Sequence, residues 1–302
     1  MSQRQRIVVT GREGQIVCSL LGRATAYSDF EIVAVGRPSL DLARPHEIAD
    51  VLHGLRPALV VSAAAYTAVD QAETDEDKAM TINAVAAGEI ASAAAQVKAP
   101  IIHLSTDYVF DGKKSLPYTE DDPVGPLGVY GRSKLAGEIA VAQATDNHVI
   151  LRTAWVYSPF GRNFLKTMLQ LAEHRAELNV VDDQIGNPSS ALDLADGILA
   201  VATNLLNSSS HDLRGTFHIA GSGAASWADF AEEIFHNSRR LGGPSADVRG
   251  IASRQYPTKA QRPGNSQLCC KRLAEVHGVL LPDWRRSTQE TIEALRFGEN
   301  KA

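Results

Sequence analysis

The chain has 302 residues, of which 44% are hydrophobic and 22% charged, with a net charge of -5. These values fit a globular protein with a sizeable core, built as one large domain or two unequal ones, and exclude a disordered or fibrous chain. Scattered positive charges argue against a nucleic-acid surface, Cys18, Cys269 and Cys270 form neither a disulfide framework nor a zinc-ligand spacing, and no apolar stretch approaches the ~20 residues of a membrane span.

A basic start at residues 2–6 is followed by only Ile7, Val8 and Val9, too few for a secretory signal, so the expected compartment is the cytoplasm. Residues 6–10 read as a first strand and 15–23 as a first helix. The turn between them, Thr10-Gly-Arg-Glu-Gly14-Gln-Ile16, has glycines that let a pyrophosphate approach the backbone. The following helix start offers unpaired N–H groups to it. Val17 stands where a third small residue is usual. A second strand spans 31–35, a helix 45–55 with Pro45 in its first turn, and a third strand 58–61. Ser62 and the small residues Ala63, Ala64 and Ala65 follow, where a flat cofactor can lie against the chain. The Ala-rich segment 70–97 reads as helical. A fourth strand, 100–104, leads into Ser105, Thr106, Asp107 and Tyr108, whose hydroxyls can donate to a carbonyl. Residues 112–128, rich in Pro, Gly and Asp, read as a surface loop. A helix over 131–144 and a strand over 148–152 complete an alternation that implies a parallel sheet with helices on both faces.

Past Trp155 the pattern loosens. Helices are expected at 163–175, 191–206 and from Ser226, a good N-cap, to about 240; strands at 178–181 and 216–219. Residues 242–266 read mostly as loop, and a last helix begins near 287. No repeat or long linker divides the chain. The expected organisation is therefore a Rossmann-like, doubly wound α/β fold. Residues 1–155 form the dinucleotide-binding core, with segments near 178–220 returning to it. Residues 156–302 form mainly a smaller, discontinuous substrate-binding lobe.

Tyr130 precedes Lys134 by four residues, which puts both on one face of a helix. A phenol there can donate a proton, and an ammonium one turn away is expected to lower its pKa. In a doubly wound sheet the Gly turn, the alanines after strand three, Ser105–Thr106 and the Tyr–Lys pair all meet at one carboxyl-end crevice.

This order resembles the extended short-chain dehydrogenase/reductase superfamily. Finer motifs resemble its dTDP-4-dehydrorhamnose reductase branch: the stretch from Ala63 to Glu73, Ser105-Thr-Asp-Tyr-Val-Phe-Asp-Gly112, Val129-Tyr-Gly-Arg-Ser-Lys-Leu-Ala-Gly-Glu138, Arg152-Thr-Ala-Trp-Val-Tyr157 and Arg262-Pro-Gly-Asn-Ser266. The chain departs at Gly14-Gln-Ile-Val17, where the branch has Gly-Gln-Leu-Gly, and at Tyr66, where some relatives have His. The resemblance implies reduction of the C4 ketone of dTDP-4-dehydro-β-L-rhamnose to dTDP-β-L-rhamnose, an activated sugar for surface polysaccharide. It implies catalysis by Tyr130, Lys134 and Thr106. The coenzyme would be held by Gly11, Gly14, Gln15, Ile16, Arg37, Asp41, Leu42, Ala63, Ala64, Ala65, Tyr130 and Lys134. The dTDP-sugar would be held by Thr106, Asp107, Trp155 and Arg262, with the Arg262 guanidinium matched to the diphosphate. Strand two ends in Gly36-Arg37 without a carboxylate, so NADPH is the expected coenzyme, with NADH tolerated. Some relatives bind Mg²⁺ through glutamates at a dimer contact; no motif here assigns such residues, no metal site is expected, and a homodimer stays open. Two alternatives remain: a reductase of another nucleotide-keto-sugar, and a non-catalytic relative similar to the regulatory β subunit of methionine adenosyltransferase, against which the intact Thr106, Tyr130 and Lys134 argue.

Overall fold

The structure is a computed structural model that describes residues 4–295. Strands and helices alternate through the first half: β1 (Gln5–Thr10), α1 (Gln15–Arg23), β2 (Phe30–Val35), α2 (Ile48–Leu55), β3 (Leu59–Ser62), α3 (Val69–Ala72), α4 (Glu76–Met80), α5 (Ala86–Gln96), β4 (Ile101–Thr106), α6 (Val129–Ala144) and β5 (His148–Thr153). The second half adds β6 (Val156–Tyr157), α7 (Phe164–Ala172), β7 (Glu177–Val181), β8 (Ile185–Gly186), β9 (Ser189–Ser190), α8 (Ala191–Asn207), β10 (Gly215–His218), β11 (Ala225–Ser226), α9 (Trp227–Arg240), β12 (Asp247–Ile251), α10 (Lys271–His277) and α11 (Trp284–Ala294).

Six strands form one all-parallel sheet in the order β10-β5-β4-β3-β1-β2. Side chains alternate between its faces, as the two-residue strand period demands. Ile7, Val9, Val61, Ile102, Leu104 and Leu151 pack under α1 and α8, with Val17, Leu20, Leu194 and Ile198 facing them. Val8, Val60, Ile101 and Ile150 pack under α2, α5 and α6, against Leu52, Ile90 and Val141. Each such side chain contributes about 1.5–3 kcal/mol on burial. The chain reverses its direction of winding between β1 and β3–β4, so the carboxyl ends of β1, β3 and β4 open onto one crevice.

A separate core gathers Tyr157, Leu165, Met168, Leu178, Phe230, Ile234, Trp284 and Ile292 from α7, β7, α9 and α11. Ser226 caps α9 as its position foretells: its hydroxyl accepts from Asp229 N–H at 3.0 Å, and the Asp229 carboxylate accepts from Ser226 N–H at 2.8 Å.

Residues 242–266 are mostly loop, as expected, and hold one strand that the sequence does not mark, β12, which pairs in parallel with β7. Asp247-Val-Arg-Gly-Ile251 carries only two large apolar residues and is half exposed, so it has no strand-like pattern to read. Two further expectations are refined. The last helix starts at Trp284, three residues before 287, because the Asp283 carboxylate accepts from Arg285 N–H at 2.9 Å and caps it. The segment 70–97 is not one helix. It breaks after Ala72 and runs through a π turn, Thr81–Val85, before α5. Asn83 in that turn holds Tyr66 N–H and C=O and reaches Ser133 Oγ on α6 at 2.9 Å. Such turns recur where a helix must aim a side chain.

Candidate active site

The β1–α1 turn is built around Gly11, whose φ of +107° side chains rarely adopt; a Cβ there would stand 3.1 Å from Val17 Cγ2. Val17 is itself buried in the core. The missing third glycine is thus accommodated, with Gly11 leaving the space that Val17 fills. Thr10 Oγ1 accepts from the N–H groups of Ala63 and Ala64 at 3.0 and 3.1 Å, which joins the β1 and β3 ends into one floor. Gly14 gives α1 no side-chain cap, and its first turn has no acidic residue. Free N–H groups and an uncontested positive helix end are the donor set a pyrophosphate needs. The chemistry of this cradle therefore fits a dinucleotide coenzyme.

Around this floor, the expected coenzyme residues divide. Ile16 packs against the core. The Gln15 side chain is turned to the second lobe, donating to Val156 O at 3.3 Å and accepting from Ser158 and Asn163. Leu42 is buried in the cluster that also holds Leu40, Ile48 and Leu52. Asp41 accepts from Ala43 N–H at 3.0 Å and lies 3.9 Å from Arg44. Arg37 is exposed. Beside it, the stem of Arg12 lies over Gly36, 3.1 Å from where a Cβ would stand.

Tyr130 sits in the first turn of α6, and Lys134 one turn on. Gly131 between them makes the approach possible, since a Cβ there would stand 2.2 Å from Tyr108 O. The Gly128 N-cap supplies no side-chain cap; Glu73 does instead, accepting from Val129 N–H at 2.8 Å. Thr106 lies in hydrogen-bonding contact with the Tyr130 phenol, and its hydroxyl donates to Asp107 Oδ1 at 3.0 Å. The Tyr108 ring meets the Tyr130 ring edge to face at 5.8 Å.

The electrostatics correct one expectation. Lys134 does not lower the Tyr130 pKa here. Its ammonium is buried and donates to Leu104 O at 2.7 Å, with His103 Nε2 at 3.4 Å. Burial raises the Tyr130 phenol above its usual range, with Thr106 opposing weakly. The same burial lowers Lys134 to about 8, partly offset by Glu138. Asp107 is pushed up to about 6 by burial, against the hydrogen bond from Thr106.

Trp155 stacks face to face on Trp227, centroids 3.5 Å apart and planes 4° apart, and its backbone is left-handed with φ +46°. Arg262 pairs with Asp70 at 2.9 Å and lies against Tyr108. Asp70 also accepts from Ala260 N–H at 3.1 Å. Residues 260–263 thus form a strap, and beneath it a cavity of about 10 Å³ is lined by Glu73, Tyr108, Tyr130, Ala260 and Pro263. That is room for about one water molecule.

Residues 5–297 match the family described as the RmlD substrate binding domain. The chain belongs to this family. Over 290 residues it is 49% identical to the dTDP-4-dehydrorhamnose reductase of Sinorhizobium fredii, covering 96% of this chain and 97% of that protein. It is 38% identical to the Escherichia coli enzyme of the same name, covering 96% and 97%. Its structure superposes with a TM-score of 0.89 on dTDP-4-dehydrorhamnose reductase from Bacillus anthracis in complex with NADP, at 32% identity over 97% of this chain and 100% of that one. A UDP-glucose 4-epimerase from Brucella ovis, 18% identical with a TM-score of 0.77, shares the fold.

Within this RmlD chain, three site features escaped the sequence reading. Glu138 on α6 accepts from Arg152 Nε and Nη2 on β5 at 2.9 and 2.7 Å and from Ser105 Oγ at 2.5 Å, all buried. An Arg ending the otherwise apolar 148–152 was the available signal. Glu73 and His103 had no such signal, because their partners lie 56 and 31 residues away. Among the described residues no group of three or more His, Cys, Asp or Glu is placed to hold a metal ion.

Proposed function

We infer that this RmlD chain reduces the C4 ketone of dTDP-4-dehydro-β-L-rhamnose to dTDP-β-L-rhamnose. The observation that carries the reading is the meeting of Thr106, Tyr130 and Lys134 beside an uncapped, Gly-lined α1 start, in a chain 49% identical to a reductase of that name. The coenzyme supplies hydride to the carbonyl carbon. Negative charge then grows on the carbonyl oxygen, and Tyr130 delivers the proton that quenches it. Thr106 turns its hydroxyl from Asp107 Oδ1 to donate a hydrogen bond to the same oxygen; a donor at a developing oxyanion contributes up to about 3–4 kcal/mol. Acid catalysis adds on the order of 10²–10⁴-fold. Burial keeps the Tyr130 phenol protonated until hydride arrives. Lys134 holds the coenzyme ribose.

Gly11, Gly14, Gln15 and Ile16 hold the pyrophosphate through their backbone, and Ala63, Ala64 and Ala65 floor the nicotinamide side. Asp107, whose Oδ2 is buried without a partner, receives a sugar hydroxyl, and Trp155 walls the sugar. Arg262 leaves Asp70 for the diphosphate. Residues 156–302 supply most of the substrate lobe. Turnover with dTDP-4-dehydrorhamnose, compared with other nucleotide-4-keto-sugars, tests the reading; a keto-sugar turned over more efficiently would overturn the substrate assignment.

NADPH is the preferred coenzyme. Arg12 and Arg37 flank Gly36 at the end of β2, while the Asp41 carboxylate is drawn toward Ala43 and Arg44. A 2′-phosphate there meets cations instead of a competing carboxylate. Arg37→Ala is expected to lower the NADPH-to-NADH ratio of kcat/KM by about tenfold, in line with loss of one charge-assisted contact. An unchanged ratio would place Arg37 in solvent.

A further inference from the structure

His103 lies in the middle of β4, 2% exposed, where a histidine has no evident use in an apolar sheet. Its register partner on β3 is Ser62, whose Oγ is 3.1 Å from His103 Nδ1. Its other nitrogen, Nε2, is 3.4 Å from Lys134 Nζ. The protons can be assigned from chemistry alone. An ammonium only donates, so Nε2 must accept; Nδ1 then carries the ring proton and donates to Ser62 Oγ. A second proton on the ring would set two cations against each other in a buried site, and His103 is accordingly held well below the usual imidazole range by burial and by Lys134. His103 is thus a neutral acceptor of fixed tautomer, oriented by the neighbouring strand.

An ammonium has three N–H bonds. Leu104 O takes one at 2.7 Å, and the adjacent residue of the same strand takes a second. We propose that His103 is a positioning residue for the coenzyme: with the Leu104 carbonyl it ties two N–H bonds of Lys134 to β4 and leaves the third for the coenzyme ribose. The proposal rests on the reading of Lys134 as the residue that holds that ribose. Its physical content is preorganisation. A lysine side chain has a long, flexible stem, and two anchors on a rigid central strand remove that freedom before the coenzyme arrives. The ammonium is faced by His103 from β4 and by Glu138 on its own helix. Arg152 and His148 of β5 and Asp107 after β4 stand behind these.

Two polar substitutions separate the roles. Asn at 103 reaches only the Nδ1 position and keeps the Ser62 contact; Gln reaches toward Nε2 and keeps an acceptor for Lys134. Titrating coenzyme fluorescence with enzyme in the absence of the sugar, His103→Asn is expected to weaken NADPH binding by about tenfold, the scale of one hydrogen bond to a charged group. His103→Gln is expected to stay within about threefold of the wild type. The alkaline limb of the kcat/KM profile is expected to move to lower pH in His103→Asn and not in His103→Gln, since losing an acceptor destabilises the ammonium. In a Lys134→Met background, His103→Asn is expected to add nothing further to coenzyme binding, because the interaction is already gone. NADPH binding and an alkaline limb in His103→Asn equal to those of the wild type would overturn the proposal, as would effects of the two substitutions that add in full. Should Lys134→Met itself leave NADPH binding unchanged, the reading of Lys134 falls and the proposal with it. A weakened Lys134→Met beside an unaffected His103→Asn removes the His103 role alone.

Discussion

A phenol must surrender its proton as hydride arrives, and burial opposes this by favouring the neutral form of Tyr130. The opposition is useful before the reaction and costly during it, so the donors around the carbonyl oxygen decide the rate. Tyr130→Phe is expected to lower kcat by at least about 100-fold while NADPH binding persists, since the ring remains and only the proton is lost. Near-normal turnover in that variant would remove Tyr130 from the mechanism. Lys134 acts as a cation, and its pKa is lowered to about 8. Below that pH the ammonium is intact; above it the proton is lost, and with it the grip on the ribose. The specificity constant is therefore expected to fall as pH rises through about 8, and a profile flat to pH 10 would contradict the assignment. That Tyr130 and Lys134 share one helix face was legible because local spacing sets it, whereas Thr106 came from the resemblance. The electrostatics of the pair were not legible, because the groups that set them arrive from other strands: Leu104, His103 and Glu138 surround Lys134 in space, and only Glu138 is its helical neighbour.

Helix α6 carries Tyr130 and Lys134 on its first turns, and its register against the sheet is fixed at three points. Glu73 satisfies the Val129 N–H, Asn83 holds Ser133, and Glu138 receives Arg152 and Ser105. Glu138 and Arg152 are both about nine-tenths buried or more, so the pair differs from an exposed ion pair. Removing one partner strands the other charge in the interior. Glu138→Ala is expected to destabilise the fold by about 3–5 kcal/mol by urea denaturation, with Glu138→Gln milder because its amide oxygen still accepts. A loss under about 1 kcal/mol in Glu138→Ala would mean that Arg152 finds another partner. Elements with a clear apolar pattern were readable within a few residues: α1 from 15 to 23, α8, and the six strands of the sheet. Where periodicity fails, so did the reading. β12 has two apolar residues and a partner strand 70 positions earlier in register, and the two-residue strands β6, β8, β9 and β11 are defined by pairing alone.

Polar contacts tie the core under the sheet to the one around Phe230 and Trp284, among them Ser287 Oγ donating to Asp193 at 2.5 Å. Gln15 ties the α1 start to Val156, Ser158 and Asn163, so the turn that cradles the coenzyme also touches the second core. The strap at 260–263 is another tie, fastened to Asp70 through Ala260 N–H and the Arg262 guanidinium. With Arg262 26% and Asp70 43% exposed, this pair is solvent-screened and contributes about 1 kcal/mol or less. A diphosphate carries more charge than one carboxylate and offers two-pronged acceptors, so in the proposed complex it outcompetes Asp70 for the guanidinium. Asp70 then has two opposed effects on substrate binding: it holds the strap near the site, and it competes for the charge that the substrate needs. Arg262→Ala is expected to raise KM for the dTDP-sugar by roughly 10–150-fold, the range of a lost charge-assisted contact, with KM for NADPH changed far less. Asp70→Asn keeps the acceptor for Ala260 N–H and removes the competing charge, so KM for the dTDP-sugar is expected to stay level or fall. Steady-state kinetics on both variants decide the matter. A KM that rises in Asp70→Asn as steeply as in Arg262→Ala would show Asp70 to be a support for Arg262 and not its competitor, and equal changes in both Michaelis constants would move Arg262 away from the diphosphate.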